Sequence, residues 1–123
     1  MRPRVATSRS ILIVEDEPLI AMMLEDVLDA LGHQVVGTAD SVEEALARVA
    51  EGGFDVAIVD VQLRGGAKVW PVADRLADAG IPFVLATGGH VDAPPERHAA
   101  APVLAKPYTI DAVEPALEQA CGG

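Results

Sequence analysis

Two apolar runs in this sequence end on acids. "ILIV" at residues 11–14 leads into Glu15, Asp16 and Glu17, and "VAIV" at 56–59 leads into Asp60. Acids brought together at the ends of buried segments need a counter-charge, because two carboxylates about 4 Å apart repel by roughly 4 kcal/mol at an effective dielectric of about 20. Two candidates exist. One is Lys106, which closes a later apolar run, "PVLAK" at 102–106. The other is a divalent cation: an open, all-oxygen donor set suits Mg2+, or Mn2+ in its place. A cation held by a few carboxylates with water positions to spare is also the usual arrangement for handling phosphoryl groups. Asp60 then has a chemistry available to it, that of a nucleophile accepting a phosphoryl group. Lys106 would pair with the incoming phosphate, Thr87 at the end of "FVLAT" has a hydroxyl to donate to a phosphoryl oxygen, and Gly88 leaves the approach uncrowded.

These residues can meet only if the runs that carry them lie side by side. The runs are 11–14, 34–39, 54–60, 81–87 and 102–106. They are short, rich in Val and Ile and bounded by turn residues, which reads as strands. Their continuous apolar character suits a parallel sheet covered on both faces. Between them lie helical patterns. Ile20, Leu24, Val27, Leu28 and Leu31 recur at three- and four-residue spacing, with Pro18 in the first turn and Gly32 as a stop. Ser41 with Glu44 forms a capping-box pattern ahead of a second helix that Gly52 and Gly53 end. A third helix starts at Trp70 or Pro71 and ends at Gly80. The interval "GGHVDAPPERHAAA" leaves room for one short helix near 95–100. The last helix starts around Thr109, with Pro115 predicting a kink or a late start. Five strands alternating with about five helices, the fourth short or irregular, make a doubly wound α/β sandwich. The expected strand order is 2-1-3-4-5, flavodoxin-like, which puts the ends of strands one and three together at the switch point.

Composition sets the remaining bounds. The chain has 123 residues, half of them apolar and 3% aromatic, so one core must be built mainly from Val, Leu, Ile and Ala. No apolar stretch is long enough to cross a membrane, and the start is too short in apolar residues for a secretory signal. The single cysteine, Cys121, allows no intrachain disulfide and fits a reducing, cytoplasmic setting; it is read as an incidental terminal thiol. Arg2, Arg4 and Arg9 lie in an opening segment without acids; taking those three from the nine basic residues leaves six against 19 acids, a net of −13. Such a body repels nucleic acid. Residues 1–9 are expected to be a flexible tail and 10–121 the domain.

The motifs "ILIVEDEP", "DVAIVDVQL", "LATG" and "AKPY", in that order, resemble the response-regulator receiver domain of two-component signalling, over about residues 10 to 121. The resemblance implies metal ligands at Glu15 or Asp16, at Asp60 and at the backbone carbonyl of Gln62. It implies phosphorylation at Asp60, a switch hydroxyl on Thr87, a phosphate-pairing role for Lys106, and a cis bond before Pro107. A narrower similarity, carried by Ala86, Thr87, Gly88, the Pro95-Glu96-Arg97 triplet and "PVLAKP", is to a mostly stand-alone subgroup whose fourth strand reads Phe-Ala-Thr-Gly-hydrophobic-Tyr. Leu85, Gly89 and His90 depart from it. The family usually carries an aromatic three residues before the lysine; that position is Val103 here, so aromatic gating is not available to it. Gln62 and Gly89 stand where the family tunes its own dephosphorylation.

Each residue also has a quieter explanation. Asp16 would serve as a helix cap, Asp60 as an Asx turn, and Thr87 as an ordinary strand end. The three histidines, His33, His90 and His98, lack metal-ligand spacing and are expected on the solvated surface. Trp70 is expected to pack or to face a partner, and Tyr108 to pack on the last helix or recognise a partner. Taken together, the motifs predict a non-enzymatic phospho-acceptor with intrinsic autodephosphorylation. Its donor is a histidine kinase or phosphotransfer protein, and its output is protein contact or phosphoryl drainage, as a monomer or weak dimer. The alternatives are a phosphorylation-independent interaction module, a receiver excised from a hybrid kinase, and a small ligand binder or phosphatase. A phosphatase is disfavoured because Gln62 stands where a second acid would be needed.

Overall fold

Short β-branched runs hydrogen-bond side by side while the amphipathic stretches between them cover both faces of the resulting sheet. The computed structural model describes residues 8–63, 66–88, 94–106 and 108–121. In chain order the elements are β1 (Ser10–Val14), α1 (Pro18–Ala30), β2 (Gln34–Ala39), α2 (Val42–Glu51), β3 (Val56–Asp60), α3 (Trp70–Asp78), β4 (Phe83–Thr87), a 3-10 turn (Glu96–His98), β5 (Val103–Ala105) and α4 (Ile110–Ala120). All strand pairs are parallel and the sheet order is β2-β1-β3-β4-β5, as the pattern predicts.

Alternation along each strand sorts the core into two layers. Leu12, Val14, Ala57, Val59 and Leu85 face α2 and α3, where Ala45, Val72 and Leu76 meet them. Ile11, Ile13, Val56, Ile58, Val84 and Leu104 face α1 and α4, where Leu24, Leu28, Val113 and Leu117 meet them. Every residue of β3 is buried, so its unbroken apolar run reports a central strand covered on both faces. Each fully buried Leu or Ile side chain contributes on the order of 1.5–3 kcal/mol.

The helix ends follow from local chemistry, with some corrections to the sequence reading. Ser41 Oγ accepts from the Glu44 N–H at 3.1 Å, and Glu44 Oε1 reaches back to the Asp40 N–H at 3.0 Å, one residue earlier than a standard capping box. The cap of α1 is Glu17, whose side chain makes no capping bond, so Asp16 does not occupy the cap. Four α-helices are present among the described residues rather than about five, because the proline-rich fourth interval supports only the 3-10 turn. The last helix does not start late: it runs from Ile110 to Ala120 with Thr109 at its cap and Pro115 inside it. Pro115 is exposed, as is Asp111, whose carbonyl loses the bond a proline cannot donate; water is at hand there.

Two histidines expected at the solvated surface are buried. His33 is 5% exposed and His98 3%. His33 Nδ1 accepts from the Arg9 N–H at 3.1 Å, so in the neutral ring Nε2 carries the proton and donates to Glu114 Oε1 at 2.7 Å. Arg9 belongs to this tie: its carbonyl accepts from the Gln34 N–H, and its guanidinium lies 3.8 Å from Glu114. Residue 9 is therefore held against the domain rather than in a loose segment. His90 lies outside the described residues.

Candidate functional site

Parallel pairing brings the C-terminal ends of the strands to one edge. Val14 is opposite Val59, Asp60 opposite Ala86, and Thr87 opposite Ala105. The residue after β1, the last residue of β3, the last residue of β4 and the residue after β5 are Glu15, Asp60, Thr87 and Lys106. One edge thus receives all four, although they lie up to 91 positions apart in the chain.

Lys106 sits at the centre. Its Nζ is 2.7 Å from Asp60 Oδ2 and 2.7 Å from Glu15 Oε1. Both acids are almost enclosed, Glu15 at 3% exposure and Asp60 at 7%. Asp16 completes the group: one carboxylate oxygen from each of Glu15, Asp16 and Asp60 falls within 4.8 Å of the others. Three carboxylates facing one ammonium leave a net charge of about −2, and the donors are all hard oxygens, which fits Mg2+ or Mn2+.

The backbone fixes these side chains. Glu15 Oε2 accepts from the Glu17 N–H at 3.1 Å, and Asp60 Oδ1 accepts from the Gln62 N–H at 3.2 Å. The quieter Asx-turn reading of Asp60 therefore holds for one oxygen while the other faces the lysine. Gln62 pairs with Lys68 across a small antiparallel bridge made by the Leu63 N–H on Ala67 and the Val69 N–H on Val61. That pattern does not use the Gln62 carbonyl, which is the group the sequence reading assigned to a cation.

The electrostatics follow from enclosure. Burial raises the Glu15 carboxyl above its ordinary 4.5; hydrogen bonds from Lys106 and Glu17 pull it back, and the Asp60 charge pushes it up again. Burial lowers the Lys106 ammonium, but its hydrogen bonds to Asp60 and Glu15 outweigh this and hold it above 10.5. Lys106 stays charged and the acids around it share that one charge.

The flanks differ. On one side Glu15, Asp16, Thr38, Asp40 and Glu44 line an acidic cleft of about 290 Å³. On the other, Ile20, Met23, Gly88, Lys106 and Tyr108 line a mostly apolar cavity of about 330 Å³. A Cβ on Gly88 would meet only Lys106 Cδ at 3.8 Å, an ordinary contact, so Gly88 keeps a path open rather than avoiding a clash. Thr87 adjoins the lysine through the backbone, its carbonyl accepting from the Lys106 N–H at 2.9 Å. Val103 is 58% exposed on the edge strand, outside the cluster. Pro107, the cis-peptide candidate, and Gly89 lie outside the described residues.

A model of the family described as the response regulator receiver domain matches residues 11–117. The chain belongs to that family. Among solved structures this receiver is similar to SdrG from Sphingomonas melonis Fr1, at 58% identity and a TM-score of 0.82, over 91% of this chain and 95% of that one. The BeF3-activated conformation of SdrG from Pseudomonas melonis Fr1 aligns at 58% identity and a TM-score of 0.78, with the same coverage. The phyllosphere-induced regulator PhyR of Methylorubrum extorquens is 36% identical over 118 residues, 89% of this chain and 42% of PhyR, so the receiver spans less than half of that relative.

Sequence reasoning left one resident of this site undecided. Tyr108 is 8% exposed and lines the apolar cavity beside Lys106. The available signal was its place two residues after Lys106 at the end of a strand that already delivered a functional side chain.

Proposed function

We propose that this receiver is a response regulator that accepts a phosphoryl group on Asp60 from a histidine kinase or a histidine phosphotransfer protein. One observation carries the reading: Lys106 Nζ lies 2.7 Å from both Asp60 and Glu15, with Asp16 alongside. A lysine so placed screens the acceptor against its neighbours and stays near the phosphoryl oxygens as they arrive. In the transfer an Asp60 oxygen bonds to phosphorus, the P–N bond of the donor breaks, and its electron pair returns to the imidazole nitrogen. Glu15, Asp16, Asp60 and the Gln62 carbonyl would hold Mg2+ or Mn2+, which supplies charge neutralisation for the transferred group. Thr87, one strand away, donates its hydroxyl to the phosphoryl group and carries the change into the loop that follows.

The donor's docking face is offered by α1 and the start of α4. Leu19, Met22, Met23 and Ile110 are large apolar side chains left exposed beside the acceptor. Large apolar side chains left exposed on these helices supply the apolar area that partner contact needs. The body's negative charge favours a protein partner over nucleic acid. Among the described residues no helix is long and apolar enough to cross a membrane. In this reading the output is protein contact or phosphoryl drainage, with intrinsic hydrolysis of the acyl phosphate.

The test is incubation with acetyl phosphate and Mg2+ followed by intact mass. A single phosphoryl addition, absent in Asp60→Asn, is expected. No addition at saturating Mg2+ would turn the reading to a phosphorylation-independent interaction module. Exposed Val103 and the 3-10 turn in the fourth interval are the features that favour that second reading.

A further inference from the structure

At the edge of the sheet opposite the acceptor, the start of β1 meets a buried histidine. His33 is the residue before β2, and its side chain is fully enclosed. Arg9, the residue before β1, donates its backbone N–H to His33 Nδ1 at 3.1 Å, and its carbonyl accepts from the Gln34 N–H at 2.9 Å. The Arg9 side chain contributes less. Its guanidinium stands 3.8 Å from Glu114, and Arg9 Nη1 and Glu114 Oε2 are enclosed with no hydrogen-bond partner among the described residues. The attachment of residue 9 therefore rests on its two backbone bonds, and one of them ends on a group that can take up a proton. Asp60 lies at the other end of β3, so this attachment is independent of the acceptor reading.

We infer that His33 is a proton-operated latch, which fastens the chain entering β1 only while its ring is neutral. An imidazole nitrogen accepts a hydrogen bond only when it carries no proton, and in the cation both nitrogens are donors. Nε2 already donates to Glu114 Oε1 at 2.7 Å, so that bond survives charging of the ring. Nδ1 has no such freedom. Once protonated it turns a donor toward the Arg9 N–H, two donors meet, and that N–H loses its acceptor. The charges facing the ring are Glu114 from α4, Arg9 from the chain before β1, and Glu25, Asp26 and Asp29, which line a cleft with it along the last turns of α1; Gln34 beside it on β2 is neutral. Those four acids face one guanidinium, so a second positive charge at the ring is not left unpaired. Ser10, the next residue along, donates to Asp55 Oδ2 at 2.9 Å instead, so the release stops at residue 9 and leaves β1 paired.

The experiment is a pH titration of the full chain by NMR from about pH 8 to about pH 5, the range in which an imidazole can change charge. It follows the ring nitrogens of His33 and the backbone amide of Arg9. The expected starting point is a neutral ring with its proton on Nε2. As the ring charges, the hydrogen-exchange protection of the Arg9 amide, measured against Leu12 within β1, should fall by about tenfold along the same curve, the size of effect that one hydrogen bond can give. His33→Gln, neutral throughout, should hold the Arg9 protection constant with pH at whatever level it adopts. If that variant does not fold, the wild-type titration decides alone. A ring already charged at the alkaline end, a ring still neutral at the acidic end, or an Arg9 amide that does not follow the ring overturns the inference. The same pH-dependent loss of Arg9 protection in His33→Gln overturns it as well, by assigning the effect to another group.

Discussion

His98 Nε2 lies 2.7 Å from Asp74 Oδ1, joining the 3-10 turn to α3. The His98 ring is stacked on Trp70, with centroids 6.1 Å apart and planes 13° from parallel, and meets the edge of Phe83 at 5.5 Å. Arg97 adds ion pairs to Asp74 and Asp78. The crossover from β4 to β5 is thus clasped to α3 by a three-residue 3-10 turn, at the place where a short or irregular helix was expected.

His98→Ala should lower the unfolding free energy by about 1–3 kcal/mol, through a cavity between Trp70 and Phe83 and the loss of a buried hydrogen bond. The Arg97 pairs are half exposed and screened by water, so Arg97→Ala should cost much less than His98→Ala. Denaturant melts followed by Trp70 fluorescence check both, since Trp70 is the chain's single tryptophan. Equal losses in the two variants would show that the aromatic contacts contribute nothing beyond the ion pairs.

Lys106→Met should destabilise the metal-free protein by about 2–4 kcal/mol, because it leaves Glu15 and Asp60 enclosed without their common counter-charge. Addition of Mg2+ should recover much of this, as a second source of positive charge in the same place. Asp60→Asn should act in the opposite sense, raising the melting temperature without Mg2+ by relieving repulsion and reducing the further rise that Mg2+ gives. Thermal melts with and without Mg2+ decide the matter; a Lys106→Met protein as stable as wild type would mean that the acids are already relaxed apart.

How much of this was legible beforehand depends on what each residue answers to. The β3 run could be read because a central parallel strand must be apolar on both faces, and Asp60 stood out as the one residue breaking that rule. The strand order then brought Glu15, Asp60 and Lys106 to one edge, since parallel strands in that order leave no other arrangement. His33 and His98 were misread because burial of a histidine depends on a partner elsewhere in the chain. Glu114 lies 81 positions from His33 and Asp74 lies 24 from His98, and no local spacing reveals either. The helix count was overstated for a related reason. Prolines 94 and 95 warned against a helix, but only the contacts of Arg97 and His98 with α3 show why a 3-10 turn suffices.

Glu15 should give the pH dependence of stability an identifiable component. Its folded value lies above 4.5, raised first by burial, so folding favours the protonated form. The stability this group contributes is therefore fully present below 4.5 and is lost as pH rises through the folded value. Glu15→Gln removes that loss. Its stability relative to wild type should improve as pH rises from about 4.5 and level off above the folded value, in metal-free buffer. Melts of the two proteins across this range test it, and a difference that stays flat with pH would show that Glu15 ionises as readily folded as unfolded.

Tyr108 extends the same reasoning to alkaline pH. It is the single tyrosine, so the ultraviolet phenolate band reports it alone. Burial raises its phenol above the ordinary 10.0, and the nearby negative charges of Glu15 and Asp60 act in the same direction. A raised folded value means that the group stabilises the fold below 10.0 and that this contribution is lost as pH rises beyond it. Lys106, held above 10.5 by its two carboxylate partners, loses its contribution on the same side. The native protein should therefore resist phenolate formation past the ordinary tyrosine value, and the band should emerge together with loss of the far-ultraviolet helix signal. Phenolate appearing near pH 10 with the helix signal intact would place the hydroxyl in water rather than in the buried layer between α1 and α4.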